Sequence, residues 1–270
     1  MTAPSPTLSI QVDVTNPGQF FACCGLLELA HRLWPGAEGW YEREYFHCAP
    51  MGSGNGSLAT VLDALTKCDV HIETTRNQES PAEENAKPKI DPIVVGPPVN
   101  MILDWWRRND GTSNLFKTWA ANATSQQMFT KWQKPLEEII NEVKKQPERV
   151  FSAVALVQGS YGFDSTVGWD SLSIGFSLNE HVEYKRLPTH PAVELLGCIG
   201  LQRFFPQLDA KRQIVRYATW DTPLSPVVAR LASIGQLPAV ASRRLETRFV
   251  YRGSFKGLDT AAAIGGESYE

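Results

Sequence analysis

Cys23, Cys24 and His31 fall within one stretch of helical periodicity, and a thiol beside an imidazole is the first pairing in this sequence that could do covalent chemistry. A catalytic thiolate needs a neighbouring base or a helix N-terminus to lower its pKa. Cys24 and His31 are seven residues apart, so they share a helix face but stand two turns from each other, beyond hydrogen-bond reach. Cys23 is farther still. Early placement in the helix favours a reactive thiol; packing is the plainer role. The other candidates are weaker. His31, His47, His71, His181 and His190 are scattered, and no His-x-x-x-His or Cys-x-x-Cys pair exists, so neither a metal nor another cofactor is expected. Gly162-Phe163-Asp164-Ser165 and Gly168-Trp169-Asp170-Ser171 form a near-repeat that could bind a cation, position a phosphate through backbone amides, or cap turns. Gly52-x-Gly54-x-Gly56 lacks the lysine and the strand-then-helix setting of a phosphate loop. With no catalytic constellation, the chain is expected not to be an enzyme; a Cys23- or Cys24-dependent enzyme is the rival.

Residues suited to binding are better represented. The net charge of -3 hides an asymmetry: between Tyr184 and Lys256 there are 12 Lys/Arg against 4 Asp/Glu, leaving the remainder at -11. Nine of those twelve are arginine, whose planar fork suits phosphate oxygens. Arg244, Arg248 and Arg252 recur every four residues on one face of a long predicted strand. Like charges there repel unless an anionic partner lies across them. Lys211, Arg212 and Arg216 extend the same basic region. Trp105-Trp106-Arg107-Arg108 and Lys117-Thr118-Trp119 place aromatics beside cations, a combination that can stack on unpaired bases and neutralise phosphates. Strand alternation would put one of Trp105 and Trp106 in the core and one outside. Asn16 and Gln19 carry amides that could read base edges if the helix start faces a groove. The expected contact set is therefore Asn16, Gln19, Trp106, Arg107, Arg108, Lys117, Lys211, Arg212, Arg216, Arg244, Arg248 and Arg252.

The elements that would position these residues follow from periodicity. Leu8 to Val14 alternates as a half-buried strand, and Asn16-Pro17 caps a helix that runs to about Trp34. Trp40 to His47 reads as a strand, and Ser57 caps a second helix with Leu58, Val61, Leu62 and Leu65 on its apolar face. Val70 to Ile72, Ile93 to Val95 and Met101 to Trp106 read as strands. Phe116 to Lys145 is mostly helical and split at Pro135; Val150 to Val157 is a buried strand, and Leu172 to Leu178 alternates again. A helix over Ala192 to Phe205 follows, then a strand Gln213 to Thr219, a helix Ser225 to Ile234 and a strand Arg243 to Phe255. The pattern is α+β, with mixed sheets and packed helices. The first helix and the one after His190-Pro191 both carry Cys-x-Gly-Leu, a weak sign of two related halves. The expected organisation is an N-terminal α+β unit over 1–75, a polar mobile linker or loop over 76–92, a C-terminal α+β unit with the basic face over 93–260, and a frayed tail over 261–270. The five cysteines are odd in number and lack Cys-x-x-Cys spacing, and neither a secretion leader nor a membrane-length apolar run is evident; a cytoplasmic protein with reduced thiols is expected.

Several segments in this order resemble a prokaryotic CRISPR-associated family of subtype I-U, also called I-G and formerly Dpsyc. They are Asn16-Pro17-Gly18 with Cys24-Gly25-Leu26-Leu27-Glu28-Leu29-Ala30; Leu103-Asp104-Trp105-Trp106 with Lys117-Thr118-Trp119-Ala120; Phe163-Asp164-Ser165 with Ile174-Gly175-Phe176-Ser177-Leu178-Asn179; and Pro191 to Leu201. The resemblance spans residues 8–206. It implies a non-catalytic subunit of a type I Cascade effector, classed with the large subunits, although this chain is short for one. Such subunits hold the crRNA 5′ end, read the protospacer-adjacent motif and help open target DNA. The implied partners are crRNA, target DNA, the backbone and guide-end subunits of the complex, and a recruited helicase-nuclease, with no membrane. The rival binding role is a scaffold that meets an acidic protein and touches no nucleic acid.

Overall fold

Asn16 closes the turn after the opening strand and starts the first helix. Its backbone is extended and its side-chain oxygen accepts from the Gly18 amide, while Pro17 occupies the first turn, where its missing N–H is no loss. Ahead of it, β1 (Leu8–Gln11) buries Leu8 and Ile10 and turns Gln11 outward. Helix α1 (Pro17–Leu33) is buried almost all round from Pro17 to Ala30 apart from Gln19, as befits a central helix rather than an amphipathic one. The computed structural model describes residues 5–49, 56–73, 90–119, 123–157, 160–167, 187–252 and 255–264.

The stretch Trp40 to His47 is a hairpin rather than one strand. β2 (Glu38–Glu42) and β3 (Tyr45–Ala49) pair antiparallel with Glu42 opposite Tyr45, and Arg43 turns the chain with φ 55. A two-residue hairpin loop demands such left-handed backbone, a feature that alternation does not reveal. The sheet order is β1-β3-β2. Helix α2 (Leu58–Lys67) is capped by Ser57 and buries the apolar face expected of it. Short strands β4 (Val70–Ile72), β5 (Ile93–Val95) and β6 (Met101–Leu103) form a second antiparallel sheet. β6 stops at Leu103, so Trp105 and Trp106 lie in a turn where strand alternation has no force, and both are buried.

Helix α3 (Ser125–Lys145) begins with a Thr124–Gln127 capping box and runs through Pro135 without the expected split. Phe116 to Trp119 precede it as loop. A 3-10 turn, Pro147–Ser152, and β7 (Ala155–Val157) replace the single strand expected over Val150 to Val157. β7 pairs with β8 (Leu187–Thr189), which leads into α4 (Pro191–Arg203). The rest is β9 (Gln207–Asp209), β10 (Ile214–Trp220), α5 (Pro226–Ser233), β11 (Ala241–Arg252), β12 (Phe255–Leu258) and β13 (Ala262–Ala263). Their sheet runs β12-β11-β10-β9, with β13 also on β11. The fold is mixed α+β, with helices packed among small antiparallel sheets. The strand expected at Leu172 to Leu178 and the linker loop up to residue 89 lie outside the described residues. Residues 261–264, expected to fray, instead hold on: the Ala261 amide donates to Thr15 O, and β13 pairs with β11.

The two Cys-x-Gly-Leu helices pack against each other as parallel neighbours. A Cβ on Gly25 would come 1.9 Å from the Leu196 carbonyl oxygen, and one on Gly200 would come 2.1 Å from that of Phe21. The contact is reciprocal, because Phe21 and Leu196 each stand four residues before their glycine. Backbones approach this closely only where neither helix carries a side chain. Both helices start at one carboxylate: the Asn16 side-chain amide donates to Asp164 Oδ1 at 2.8 Å, and His190 Nδ1 lies 2.6 Å from Asp164 Oδ2. At the far end, buried Glu28 pairs with Arg32 of its own helix and with Arg203 of α4.

The segments 1–75 and 93–260, expected as separate units, share one continuous core. Trp220 of β10 donates to Gly39 O and stacks with Phe204, while Tyr217 donates to Val14 O. No helix among the described residues is long and apolar enough to cross a membrane.

Candidate nucleic-acid interface

The outer face of β10–β11 gathers most of the cations expected to bind. Leu245, Thr247 and Phe249 point into the core, which turns Arg244, Glu246 and Arg248 outward. Antiparallel register places Ala218 opposite Arg244, Arg216 opposite Glu246 and Ile214 opposite Arg248. Arg244 and Arg248 are exposed, and Arg216 is half-buried. Lys211 and Arg212 stand exposed on the β9–β10 turn, at the Arg248 end of the face, where Gln213 O accepts from the Phe249 amide.

Glu246 alters the electrostatic argument. It pairs with Arg216 across the strands at 2.8 Å and lies 3.9 Å from Arg248. The expected repulsion along the strand is therefore relieved internally, and an anionic partner is not needed to explain these arginines. Arg244 and its neighbour Arg243 have no carboxylate within 4.0 Å among the described residues. Arg212 lies 3.8 Å from Asp209. The backbone of Arg252 pairs opposite Phe255; its side chain lies outside the described residues.

Two expected contact residues, Asn16 and Trp106, belong to the interior instead, and a third, Lys117, is half-buried. Asn16 is fully buried, capping α1 and bonding Asp164 and the Ser165 amide, so no base edge can reach it in this fold. Trp106 is 1% exposed and donates its indole N–H to Ile90 O. The Lys117 ammonium donates to Trp119 O at 2.7 Å and lies over the Trp119 ring. Gln19 is half-buried and accepts from the Asp13 amide. Arg107 and exposed Arg108 sit on a separate turn closed by Gly111. An aromatic next to a cation was a sound binding signal, but Trp105, Trp106 and Trp119 form a mutual edge-to-face cluster that the core claims.

The thiols are also interior. All five cysteines are free and buried. Burial pushes Cys23 and Cys24 well above the ordinary thiol range, and Cys48 and Cys198 up to about 12. None of them is poised as a thiolate.

A polar cluster at the helix starts has the make-up of an acid–base site, and the sequence signal for it was the Asp164-Ser165 pair. Burial would raise the Asp164 pKa, but the hydrogen bond and charge of His190, with Thr166, hold it below the usual carboxylate range. One turn into α4, Glu194 accepts from Ser160 Oγ and the Tyr161 amide, and burial pushes its pKa up to about 7. Among the described residues no hydroxyl or thiol bonds the second imidazole nitrogen of the His190–Asp164 pair. Its evident work is to tie two helix N-termini to one carboxylate, which their dipoles favour. No group of three His, Cys, Asp or Glu among the described residues could hold a metal ion.

Comparison with protein families, with curated proteins and with solved structures returned no match.

Proposed function

We propose that this chain is a non-catalytic, nucleic-acid-binding subunit of a type I CRISPR effector ribonucleoprotein, contacting crRNA or target DNA through the outer face of β10–β11. The observation that carries the binding half is the exposure of Arg244 and Arg248 on the β10–β11 strand pair, continued by Lys211 and Arg212. A regular strand pair spaces cations evenly, and phosphates recur evenly along a nucleic-acid strand. The effector-complex half rests on the sequence resemblance. The described parts of the resembling segments converge on the α1–α4 core and its tryptophan cluster, so those residues support the fold rather than the contact surface.

A second reading, a scaffold that meets a partner protein without touching nucleic acid, is favoured by α5. Val227 is 61% exposed there, beside exposed Val228 and Leu231.

One experiment separates the two. Binding of single-stranded RNA is measured across a salt series for the wild type and for a double variant, Arg244→Gln with Arg248→Gln. A nucleic-acid subunit gives a log-log salt slope that becomes shallower by roughly 0.7 per lost phosphate contact in the variant. A scaffold gives no binding at low salt. Isolation of the native particle tests the CRISPR assignment, since guide-length RNA and partner subunits should accompany the chain.

A further inference from the structure

Clefts among the described residues that border the late strands differ in charge. Two, of about 400 and 660 Å³, share Val14, Arg43 and Arg243. The first also presents Asp13 and Glu44, and the second Glu42 and Asp221, so carboxylates match the arginines one for one in each. Another, about 250 Å³, lies between β10–β11 and the loop after α5 and is different in kind. Arg216, Arg244 and Gln207 line it together with Ala218, Ile234 and Ile264, and no carboxylate is among its lining residues that are described.

The cavity is built by contacts that hold its walls. Gln207 Nε2 donates to Ile234 O at 2.8 Å, tying β9 to the loop after α5. Gly235 turns that loop with φ 73, and a Cβ there would stand 3.7 Å from Arg244 Nε, so the arginine lies along the loop. The Ile264 amide donates to Arg244 O, bringing the third wall against β11. Arg216 is held by Glu246 at 2.8 Å, which leaves Arg244 as the cation of the cavity without a carboxylate partner among the described residues.

A cation beside an apolar wall suits a nucleotide: a guanidinium for the phosphate and an apolar surface for the flat base. We propose that this cavity seats one nucleotide of a single RNA strand, with its phosphate on Arg244 and its base against Ile234 and Ile264. Arg248, four residues along the strand and so about 13 Å away, takes a different phosphate. This rests on the reading of the chain as a nucleic-acid-binding subunit and adds to it a particular seat, distinct from a general basic surface.

The test uses the full chain, with folding of every variant confirmed by its thermal unfolding. Adenosine 5′-monophosphate, adenosine and inorganic phosphate are titrated by calorimetry, and a single-stranded oligouridylate by anisotropy. The variants are Arg244→Gln, Ile264→Glu and, on the same face outside the cavity, Arg248→Gln. The expected result is that the nucleotide binds more tightly than phosphate or adenosine, and that Arg244→Gln and Ile264→Glu each weaken it by roughly tenfold. Arg248→Gln should leave nucleotide binding unchanged and weaken only the oligonucleotide. The seat is overturned if the nucleotide binds no better than phosphate, or not at all, or if Arg244→Gln and Arg248→Gln act alike on every ligand. In that case oligonucleotide binding that is still salt-dependent leaves the broader reading standing, whereas its absence removes both.

Discussion

Single atoms decide much of this protein's stability. Gly25 and Gly200 sit where a methyl group would overlap a backbone carbonyl of the other helix. Gly25→Ala or Gly200→Ala should therefore destabilise the fold by roughly 3 kcal/mol or more, because backbone, unlike a side chain, cannot step aside. Gly197→Ala, whose Cβ would meet the Phe163 ring at 3.3 Å, should cost much less in the same chemical-denaturation series. Glu194 gives a pH signature. Its folded pKa of about 7 lies above the ordinary carboxylate value of 4.5, so the folded state holds the proton more tightly. The stability it contributes is complete below about pH 4.5 and is lost as the pH rises through 7, on the order of 3 kcal/mol in all. Glu194→Gln should flatten the stability profile across that window. Asp164 works in the opposite sense, contributing stability at neutral pH that disappears in acid as its depressed pKa is passed.

At the scale of elements, the α1–α4 pair is latched at both ends. Asn16→Ala removes a helix cap and a buried bond to Asp164 together. It should cost more than the ~1 kcal/mol of an ordinary cap, such as Thr124→Ala at the start of α3, and equilibrium unfolding of the two variants compares them directly. Glu28 is the other latch. Glu28→Gln leaves Arg32 and Arg203 facing a neutral amide, and a broken buried pair typically costs about 3–5 kcal/mol. Because both arginines are part-exposed, a loss toward the low end is expected. The element order strand-helix-strand-strand-helix-strand occurs from β1 to β4 and again from β8 to β11. The pairing departs from the repetition, since β1 joins its own hairpin while β8 pairs with β7.

For the whole molecule, one core draws on residues from Leu8 to Ala261, so native thiol chemistry should report global opening. All five cysteines should resist a water-soluble thiol reagent until denaturant unfolds the protein, and a single cooperative labelling step is expected. Labelling of Cys23 or Cys24 before the rest would show that α1 can be exposed separately. The basic face, by contrast, lies on the surface, and neutralising Arg244 and Arg248 to Gln should leave the unfolding midpoint nearly unchanged while altering any nucleic-acid affinity.

Local patterns determined the helix starts at Pro17, Leu58 and Pro191, the short strands around Val70 and Ile93, and the outward placement of Arg244 and Arg248, because caps and alternation act over a few residues. They also carried the mixed α+β class. Partnership was decided only in three dimensions. Nothing near Trp106 says that Ile90 will accept its N–H, and nothing near Asn16 says that Asp164 will bury it. Nor does the spacing of the arginines reveal that Glu246 sits between them with Arg216 across the strand. Those contacts join residues far apart in the chain, and long-range packing, not local propensity, chooses which polar and aromatic groups remain available to a ligand.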